Sequence, residues 1–422
     1  MTLCPWKYLG LSSAFGLVLA ACNGGVDNNG GGGASGTGGG DGTAGTGVGG
    51  MTTGGGGVRA TGGTTGRAGA TGGGAGGSAG RGSGGVQGAG GAGVGGAGTG
   101  GAPTGGGGAV GADQLIGWAA SGCAIGGVST TTGGGTGAPM VVTSLSALNS
   151  AAAGAEARVI QFSGNLSGSL TVGSNKTIIG SAGAAISGHV DVDGSANVIL
   201  KNFAVVGRNC ADVPSNGDCQ DGADAVTINH GAHHIWVDHL DVSDGSDGNM
   251  DITNASDCVT VSWTKFHYSA NRVAGYTGEV HHFSNLVGGD DGATGDAGHL
   301  RVTWHHDWWA DHVVERQPRI RFGQNHLFNN LWNAMGNHYC VAAAVSSNVL
   351  VENNVFDNVI DSVDTVNYSN AATVALSRNN LYLNGATMSA NKGTGVFTPP
   401  YSYPLEPAAA IEAEVMAGAG PH

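Results

Sequence analysis

The residues from Asp113 onward follow a pattern of short apolar runs separated by small polar residues. The runs are rich in Val, Ile and Thr, with examples at residues 158–162, 176–179, 198–200, 234–237, 258–261, 299–302 and 349–351. Such runs, bounded by Gly, Asn, Ser and Asp, predict β-strands of three to five residues. Among longer stretches, residues 145–153 and, more weakly, 411–416 carry the apolar spacing of a helix.

Pairs of polar or aromatic residues recur at one place in the unit Val-x-Val-x-x-x-x-Phe/Leu. Several neighbouring pairs lie 24 to 26 residues apart: Asp238-His239, Ser262-Trp263, His305-His306, Asn329-Asn330, Asn353-Asn354 and Asn379-Asn380. We interpret two longer intervals as insertions at 275–298 and 334–346. The period predicts an all-β fold, a parallel β-helix with asparagines stacked between coils and residues 145–153 capping the first coil. A β-sandwich is the alternative, but it offers no reason for Asn-Asn to repeat in register.

Composition divides the chain unequally. Of its 84 glycines, 48 fall within residues 1–112, where large apolar side chains are rare. Such a segment buries too little surface to offset its ordering entropy, so residues 22–112 are predicted to be a flexible tether. We expect the β-helix domain over 113–405 and a tail over 406–422. The net charge of −14 belongs almost entirely to the part after the tether and argues against nucleic acid and anionic membrane as partners.

The first 21 residues are predicted to be a signal segment. An apolar stretch over 11–21 is too short to span a bilayer, and it ends in Leu19-Ala20-Ala21-Cys22. This ending resembles the lipobox of bacterial lipoproteins, which implies a lipid anchor on Cys22 at the outer membrane or cell surface. An ordinary signal peptide is the alternative, and both interpretations predict export.

Export makes the remaining cysteines informative. Five lie beyond Cys22, and because five is odd at least one is unpaired or bonded elsewhere: Cys123, Cys210, Cys219, Cys258 and Cys340. Cys210 and Cys219 bracket a turn-rich loop, so they are predicted to form a disulfide in an oxidising compartment. The sequence leaves the pairing of the other three open.

A segment rich in arginine stands out in this acidic chain. Arg316, Arg319 and Arg321 fall within six residues, while the whole chain has 16 Lys plus Arg and 30 Asp plus Glu. Arginine alternating with apolar residues after Pro318 predicts a strand with one cationic face. Planar guanidinium groups bind carboxylates in bidentate fashion, which indicates an anion site. The alternative is a surface strand whose arginines pair with nearby acids.

Aspartates recur about one period apart in two short segments. Asp221 and Asp224 lie in the first segment, and Asp247 and Asp251 lie in the second. Residues i and i+4 on a strand share a face, so coil stacking would place the second pair beside Asp224. Clustered carboxylates repel unless a cation lies among them, and an all-oxygen site suits calcium. The alternative is a set of solvated aspartates that cap turns.

The motif Arg-x-Pro-x-x-Arg-x-Gly-x-x-His-x-x-Asn-Asn, which begins at Arg316, resembles the signature of the polysaccharide lyase family of pectate lyases and pectin lyases. Further similar blocks occur in the family's order at 117–119, 159–164, 173–180, 197–202 and 235–239. The resemblance covers roughly residues 113–385. It implies a right-handed parallel β-helix, in agreement with the repeat.

The resemblance also implies an activity and a set of site residues. The family cleaves uronan by β-elimination, with Arg316 in the position of the base and Arg321 in that of a substrate-binding residue. Arg272 lies near the place of the family's usual lysine, shifted by one residue. The calcium ligands implied by the resemblance are Asp224, Asp247, Asp251 and Asp221. The match at Asp221 is weaker, because the spacing from Asp224 to Trp236 differs by one residue from that of some family members.

The sequence therefore predicts a secreted, monomeric pectate lyase that acts on polygalacturonate with calcium. Because a free guanidinium is essentially always protonated, a base at Arg316 requires a strong effect of its environment or a high working pH. One alternative is a pectin lyase that acts on methyl-esterified pectin without calcium; such enzymes have an arginine where this chain has Asp247. The other is a β-helix that binds polysaccharide without cleaving it.

Three further features are expected to be structural. The His281-His282 and His305-His306 pairs, with the tryptophans of 304–309, are predicted to be packing or ladder residues. Asp290-Asp291 could suggest the paired acids of a glycosidase, but a loop tip is the preferred interpretation. His326 is expected to stack beneath the arginines.

Overall fold

The computed structural model describes residues 114–208, 224–270 and 281–422. Its strands pair in parallel, and one pairing pattern repeats from coil to coil. One wall is a ten-stranded sheet formed by β1 (Met140–Val142), β2 (Arg158–Phe162), β4 (Lys176–Gly180), β6 (Ala196–Lys201), β9 (His233–Asp238), β12 (Asp257–Ser262), β15 (Val302–His305), β18 (Gln324–Phe328), β21 (Asn348–Glu352) and β24 (Val374–Arg378).

The remaining strands form a second sheet with two branches that meet at β5. The first branch contains β3 (Asn165–Thr171), β5 (Ala185–Asp193), β8 (Val226–Asn229), β11 (Met250–Ile252), β14 (Asn285–Val287), β17 (Arg319–Ile320), β20 (Val341–Ala343) and β23 (Val363–Asp364). The second branch contains β7 (Ala204–Val206), β10 (Asp241–Ser243), β13 (Lys265–His267), β16 (Trp308–Trp309), β19 (Leu331–Trp332), β22 (Val355–Asp357) and β25 (Leu381–Leu383). Each regular coil therefore contributes one strand to each of three walls, and the predicted right-handed parallel β-helix is confirmed.

The core fills the interior of the coils with columns of like side chains. One column on the ten-stranded sheet is fully buried and runs through Ile160, Ile178, Leu200, Val237, Val261, Trp304, Leu327 and Val351. Neighbouring strands lie about 4.8 Å apart, so each side chain packs on its copies one coil away. On the second branch, Trp309 and Trp332 stack at 4.5 Å between ring centroids. Of the tryptophans predicted to be packing residues, Trp304 and Trp309 lie in the core, whereas Trp308 is half-buried.

The predicted asparagine stacking is confirmed, with a correction to the register. Nδ2 of Asn330 donates to Oδ1 of Asn354 at 3.0 Å, and Nδ2 of Asn354 donates to Oδ1 of Asn380 at 3.0 Å. We call these three residues the asparagine ladder. Strand pairing aligns His305 with Phe328, so the position equivalent to Asn329 one coil earlier is His306 and not His305. The predicted alignment of the two pairs was wrong by one residue.

The two predicted insertions have different outcomes. Thr264 and Asp307, which are hydrogen-bonded between successive coils, lie 43 residues apart, so the insertion over 275–298 lengthens this coil. Residues 334–346 are not an insertion, because Asn329 and Asn353 stack at the ordinary separation of 24 residues. This segment contains β20 and belongs to a regular coil.

Two helices pack against the solenoid. The predicted first helix is confirmed as α1 (Leu145–Ala152), where Oγ of Ser144 caps the first turn by accepting from the Ala147 amide. Its Leu148 is buried in the main core, so α1 covers the first coils. The second helix, α2 (Ala408–Gly418), packs Ile411 and Val415 against Leu331 of the second branch.

Two cysteines left open by the sequence are paired. Cys123 and Cys258 form a disulfide that ties the segment before β1 to β12. Cys340 is buried and is the free cysteine among the described residues. Cys210, Cys219 and the predicted signal and tether, residues 1–112, lie outside the described ranges. Within the ranges described, no helix is long and apolar enough to cross a membrane.

Candidate active site

The outward face of the first branch carries the candidate chemistry. Asp251 pairs in register with Thr227 on one side and Leu286 on the other, and Leu286 pairs with Arg319. Met250 and Ile252, the neighbours of Asp251 in β11, are fully buried. Because successive side chains on a strand alternate between faces, Asp251 points out of the coil.

Asp224 lies just before β8 and faces Asp251 across Gly248. A Cβ atom added to Gly248 would lie 2.7 Å from Oδ1 of Asp224 and 3.2 Å from Oδ1 of Asp251. The two carboxylates therefore converge on the space beside this glycine. Oδ1 of Asp251 accepts a hydrogen bond from the Leu286 amide at 3.1 Å. Oδ1 of Asp224 is buried and has no hydrogen-bond partner among the described residues.

Asp247 approaches the same place from a bend, not from a strand. β11 begins at Met250, so the assumption that Asp247 and Asp251 share a face of one strand was wrong. The side chain of Asp247 is 56% exposed, and its Oδ1 lies 3.1 Å from Nε2 of His281. The insertion therefore supplies a histidine contact that the sequence interpretation, which assigned His281 to packing, did not include.

The carboxylates repel one another. Burial, together with the charges of Asp251 and Asp247, raises the pKa of Asp224 well above its usual value. Burial also raises the pKa of Asp251 to about 7, although Arg316 opposes the shift. The hydrogen bond from His281 lowers the pKa of Asp247. Converging oxygen ligands with one buried, unpartnered oxygen fit a hard cation such as calcium.

Arg316 supplies positive charge to this cluster. Its charge opposes the upward pKa shifts of Asp224 and Asp251 and contributes to the lowered pKa of Asp247. The guanidinium carbon lies 4.9 Å from the centroid of the Phe283 ring, and the side chain is half-buried. The Arg316 carbonyl accepts from the Asn285 amide at 2.5 Å, which fixes the backbone beside β14.

The backbone turns between Arg316 and the next two arginines. Arg316 has a φ of +57°, and the Gln317–Pro318 peptide is cis. The two-residue strand β17 begins at Arg319, so Arg316 lies before this strand and not within it. Arg319 and Arg321 alternate with buried Ile320, so they share the outward face of the branch.

Arg321 is held by the insertion loop. Its Nε lies 2.6 Å from Oδ1 of Asp291, and its Nη1 donates to the Gly288 carbonyl at 2.8 Å. Asp291, predicted to be a plain loop tip, is thus an ion-pair partner of a candidate binding residue. A sequence pattern gives no signal for this contact, because an irregular loop has no period that places its side chains.

Three other predictions have mixed outcomes. Asp221 and Arg272 lie outside the described residues. His326 does not lie beneath the arginines: it is buried on the ten-stranded sheet, where its Nε2 lies 3.0 Å from Oε1 of Glu352. The prediction for His326 was therefore wrong: nearness to the arginines in the sequence did not place it beneath them.

Known proteins resemble this chain over most of the described region. A family model described as pectate lyase matches residues 89–421. Pectate lyase B of Colletotrichum gloeosporioides is 32% identical over 284 residues, which cover 64% of this chain and 77% of that protein. A solved structure of a pectate lyase from Bacillus sp. N165 in complex with trigalacturonate covers 73% of this chain and 99% of that one, with a TM-score of 0.55 and 22% identity.

A structure of jun a 1, the major allergen from cedar pollen, covers 74% of this chain and 94% of that one, with a TM-score of 0.59 and 22% identity. At these identities the two structural matches establish the shared fold alone, whereas the family model and the fungal relative extend the likeness to the sequence.

Proposed function

The chain belongs to the pectate lyase family of polysaccharide lyases, and we propose that it cleaves polygalacturonate by calcium-assisted β-elimination to unsaturated oligogalacturonides. One observation carries this proposal. Asp224, Asp247 and Asp251 gather beside Arg316 on one outward face, and among the described residues the buried Oδ1 of Asp224 has no partner. A cation and an anionic substrate together would satisfy this arrangement.

Asp224, Asp247 and Asp251 are the residues proposed to hold calcium. When bound, the ion would supply positive charge that stabilises the enolate-like charge developing on the substrate carboxylate. Asp221 belongs to the proposed set through the family resemblance. The bound trigalacturonate reported for the Bacillus relative supports a uronan as the anionic partner.

Arg316 is proposed to take the proton from C5 of the uronate. The electrons of the C5–H bond then form the C4–C5 double bond, and the glycosidic C4–O bond breaks with its electron pair on the leaving oxygen. Phe283 packs against the guanidinium, and the Asn285 amide holds its backbone, so the base is positioned before substrate arrives. Arg321 and Arg272 are proposed to bind substrate carboxylates.

The proposal predicts a dependence on calcium that separates two lyase types. Ultraviolet absorbance of the unsaturated product should rise with polygalacturonate and calcium, fall in chelator and return when calcium is restored. Highly methyl-esterified pectin should be the poorer substrate, because esterification removes the charge that calcium would bridge. Undiminished activity in excess chelator, with preference for esterified pectin, would assign the protein to the pectin lyases. Tight uronan binding without any cleavage would indicate a non-catalytic binding protein.

We also propose that the protein is exported, monomeric and anchored through lipid on Cys22. The motif Leu19-Ala20-Ala21-Cys22 and the glycine-rich segment after it support this proposal. Cys22→Ser should release the protein from the membrane fraction. Mass spectrometry that finds a different mature amino terminus without lipid would contradict the anchor.

A further inference from the structure

Arg319 is the arginine of the 316–321 segment that the proposed function leaves without a role. It pairs with Leu286, which pairs with Asp251, so the three residues form one row across β11, β14 and β17. Arg319 therefore lies two strand spacings, about 10 Å, from Asp251 along the outward face. A polysaccharide that reaches Asp251 along the helix axis would pass over Arg319.

The guanidinium of Arg319 is fixed in place by aromatic side chains. Its carbon lies 4.1 Å from the centroid of the Tyr368 ring, and the Tyr339 ring is 5.0 Å from that of Tyr368. Stacking of this kind orients the planar fork without using its hydrogen-bond donors. The Nε atom of Arg319 is buried and has no acceptor among the residues that the structure describes. The guanidinium is thus held in one orientation, and its Nη2 lies 3.8 Å from the nearest carboxylate oxygen, that of Asp291.

One carboxylate contacts both Arg319 and Arg321. Oδ1 of Asp291 lies 2.6 Å from Nε of Arg321 and 3.8 Å from Nη2 of Arg319. The side chains of Arg321 and Arg319 are 8% and 18% exposed, respectively, whereas that of Asp291 is 58% exposed. The two guanidinium groups are therefore largely enclosed by the fold, and the Asp291 carboxylate contacts them from the solvent side.

The loop that carries Asp291 packs closely against Arg321 at Gly288. Gly288 has a φ of +84°, which disfavours other residues, and a Cβ atom there would lie 2.9 Å from Cβ of Arg321. An ion pair with one exposed member contributes little to stability, because water and salt compete for the exposed charge. A substrate carboxylate could replace Asp291 at small cost.

We propose that Arg319 and Arg321 form a subsite for the carboxylate of a uronate residue adjacent to the reacting one, and that Asp291 holds this subsite until substrate displaces it. The inference rests on the proposed function, since it assumes a uronan substrate. It assigns a binding role to Arg319, a positioning role to Tyr368 and a competing role to Asp291. The enzyme should consequently require two neighbouring uronates with free carboxylates.

The test compares Asp291→Asn and Arg319→Gln in the full chain. Binding of trigalacturonate is measured by calorimetry in calcium with Arg316→Lys added to each protein, so that cleavage is slow, and KM and kcat are measured on polygalacturonate with Arg316 intact. Removing the competing charge with Asp291→Asn should tighten binding and lower KM several-fold. Removing a charged donor with Arg319→Gln should weaken binding about ten-fold, mainly through KM. Esterification of the neighbouring uronate should cost wild type more than Arg319→Gln.

Asp290→Asn is the matched control, because it removes the same charge from the same loop. Asp290 accepts from the Gly292 amide through Oδ1, an atom that asparagine retains. If Arg319→Gln fails to fold, Tyr368→Leu tests the same subsite and should weaken binding less strongly. The gain from Asp291→Asn should also shrink when Arg319→Gln is present, since the two residues act on one subsite.

The outcomes separate the two claims. Suppose that wild type cleaves polygalacturonate. If Asp291→Asn then binds no more tightly than Asp290→Asn, and Arg319→Gln or Tyr368→Leu binds as tightly as wild type, the subsite is wrong and the proposed function stands. If wild type binds trigalacturonate without cleaving any uronan, the proposed function is wrong and the binding measurements still decide the subsite. Absence of both binding and cleavage would overturn both.

Discussion

The acidic site and the asparagine ladder are both clusters of polar side chains brought together by coil stacking, but they differ in how their atoms are satisfied. In the ladder, Nδ2 of Asn330 donates to Asn354, and Nδ2 of Asn354 donates to Asn380, each at 3.0 Å. An amide carries both a donor and an acceptor, so identical residues can satisfy one another from coil to coil. The ladder is complete without a ligand.

The acidic site repeats a residue type that has acceptors alone when ionised. Asp224 and Asp251 converge across Gly248, and their raised pKa values reflect burial without sufficient countercharge. Buried polar groups are normally paired, so unpaired ones indicate a function or a missing ligand. The same stacking thus stabilises the fold where amides repeat and creates a binding site where carboxylates repeat.

The largest expected effect is at Arg316. Arg316→Lys keeps the positive charge but moves it off the guanidinium position, so kcat should fall by about 10²–10⁴-fold while KM changes little. Initial rates of unsaturated-product formation measure both constants. Arg378→Lys is the control, since Arg378 pairs with Glu352 on the ten-stranded sheet. A folded Arg316→Lys variant with near-normal kcat would remove Arg316 from the mechanism.

The second effect concerns calcium, and it is expected to change activity and stability in different directions. Asp251→Asn should raise the calcium concentration for half-maximal activity at least about ten-fold, because it removes a proposed ligand. In chelator the same variant should be as stable as wild type or more stable, because it relieves repulsion with Asp224. Calcium titration of activity and denaturant unfolding test the two parts. Equal calcium requirement in both proteins would contradict the ligand assignment.

The third effect is a loss of stability in acid that belongs to buried histidines near the ladder. Burial lowers the pKa of His305 well below its usual value and that of His306 to about 3. The charges of His306, His326 and His239 add to the lowering of the His305 pKa, whereas Asp238 opposes it. His239 adds to the lowering of the His306 pKa and Glu414 opposes it, and Nε2 of His306 lies 3.1 Å from Oε2 of Glu406, whose carboxylate favours the protonated ring. The unfolded chain binds these protons near pH 6.5 and the folded chain does not, so the free energy of unfolding falls as pH drops below about 6.5.

For His306 the expected slope is about 1.4 kcal/mol per pH unit between roughly pH 6.5 and 3. The matched variant is His306→Asn, because asparagine occupies the equivalent position, Asn329, one coil later. Denaturant unfolding at several pH values should show a flatter acid slope for His306→Asn than for wild type. Parallel slopes would show that His306 does not contribute to acid sensitivity.

The smallest effect is expected within the ladder itself. Asn354→Ala removes hydrogen bonds to buried Asn330 and to half-buried Asn380, so the free energy of unfolding should fall by about 2 kcal/mol. Lyase activity at low temperature should be unchanged, because the ladder lies away from the proposed active site. Asn384→Ala, at an exposed position, is the control and should cost much less. An activity loss in folded Asn354→Ala would break the distinction between the two clusters.

Local patterns predicted much of this protein. Apolar runs and the recurring Asn-Asn pairs predicted the strands and the coil period, because both depend on residues that repeat at fixed intervals. The arginine motif and the paired aspartates identified Asp224, Asp251 and Arg316 as candidates, and the structure brings them together. Each of these predictions used a spacing shorter than or equal to one coil.

Contacts that do not follow the coil repeat were decided by the tertiary structure alone. The one-residue register between His306 and Asn329, the bend at Arg316 and the approach of Asp247 depend on backbone angles that no repeat specifies. Asp291 reaches Arg321 from an insertion, and Cys123 reaches Cys258 across 135 residues. A sequence determines which coils form when contacts are periodic. Contacts made by irregular loops depend on the whole folded surface, which fixes where each loop can close.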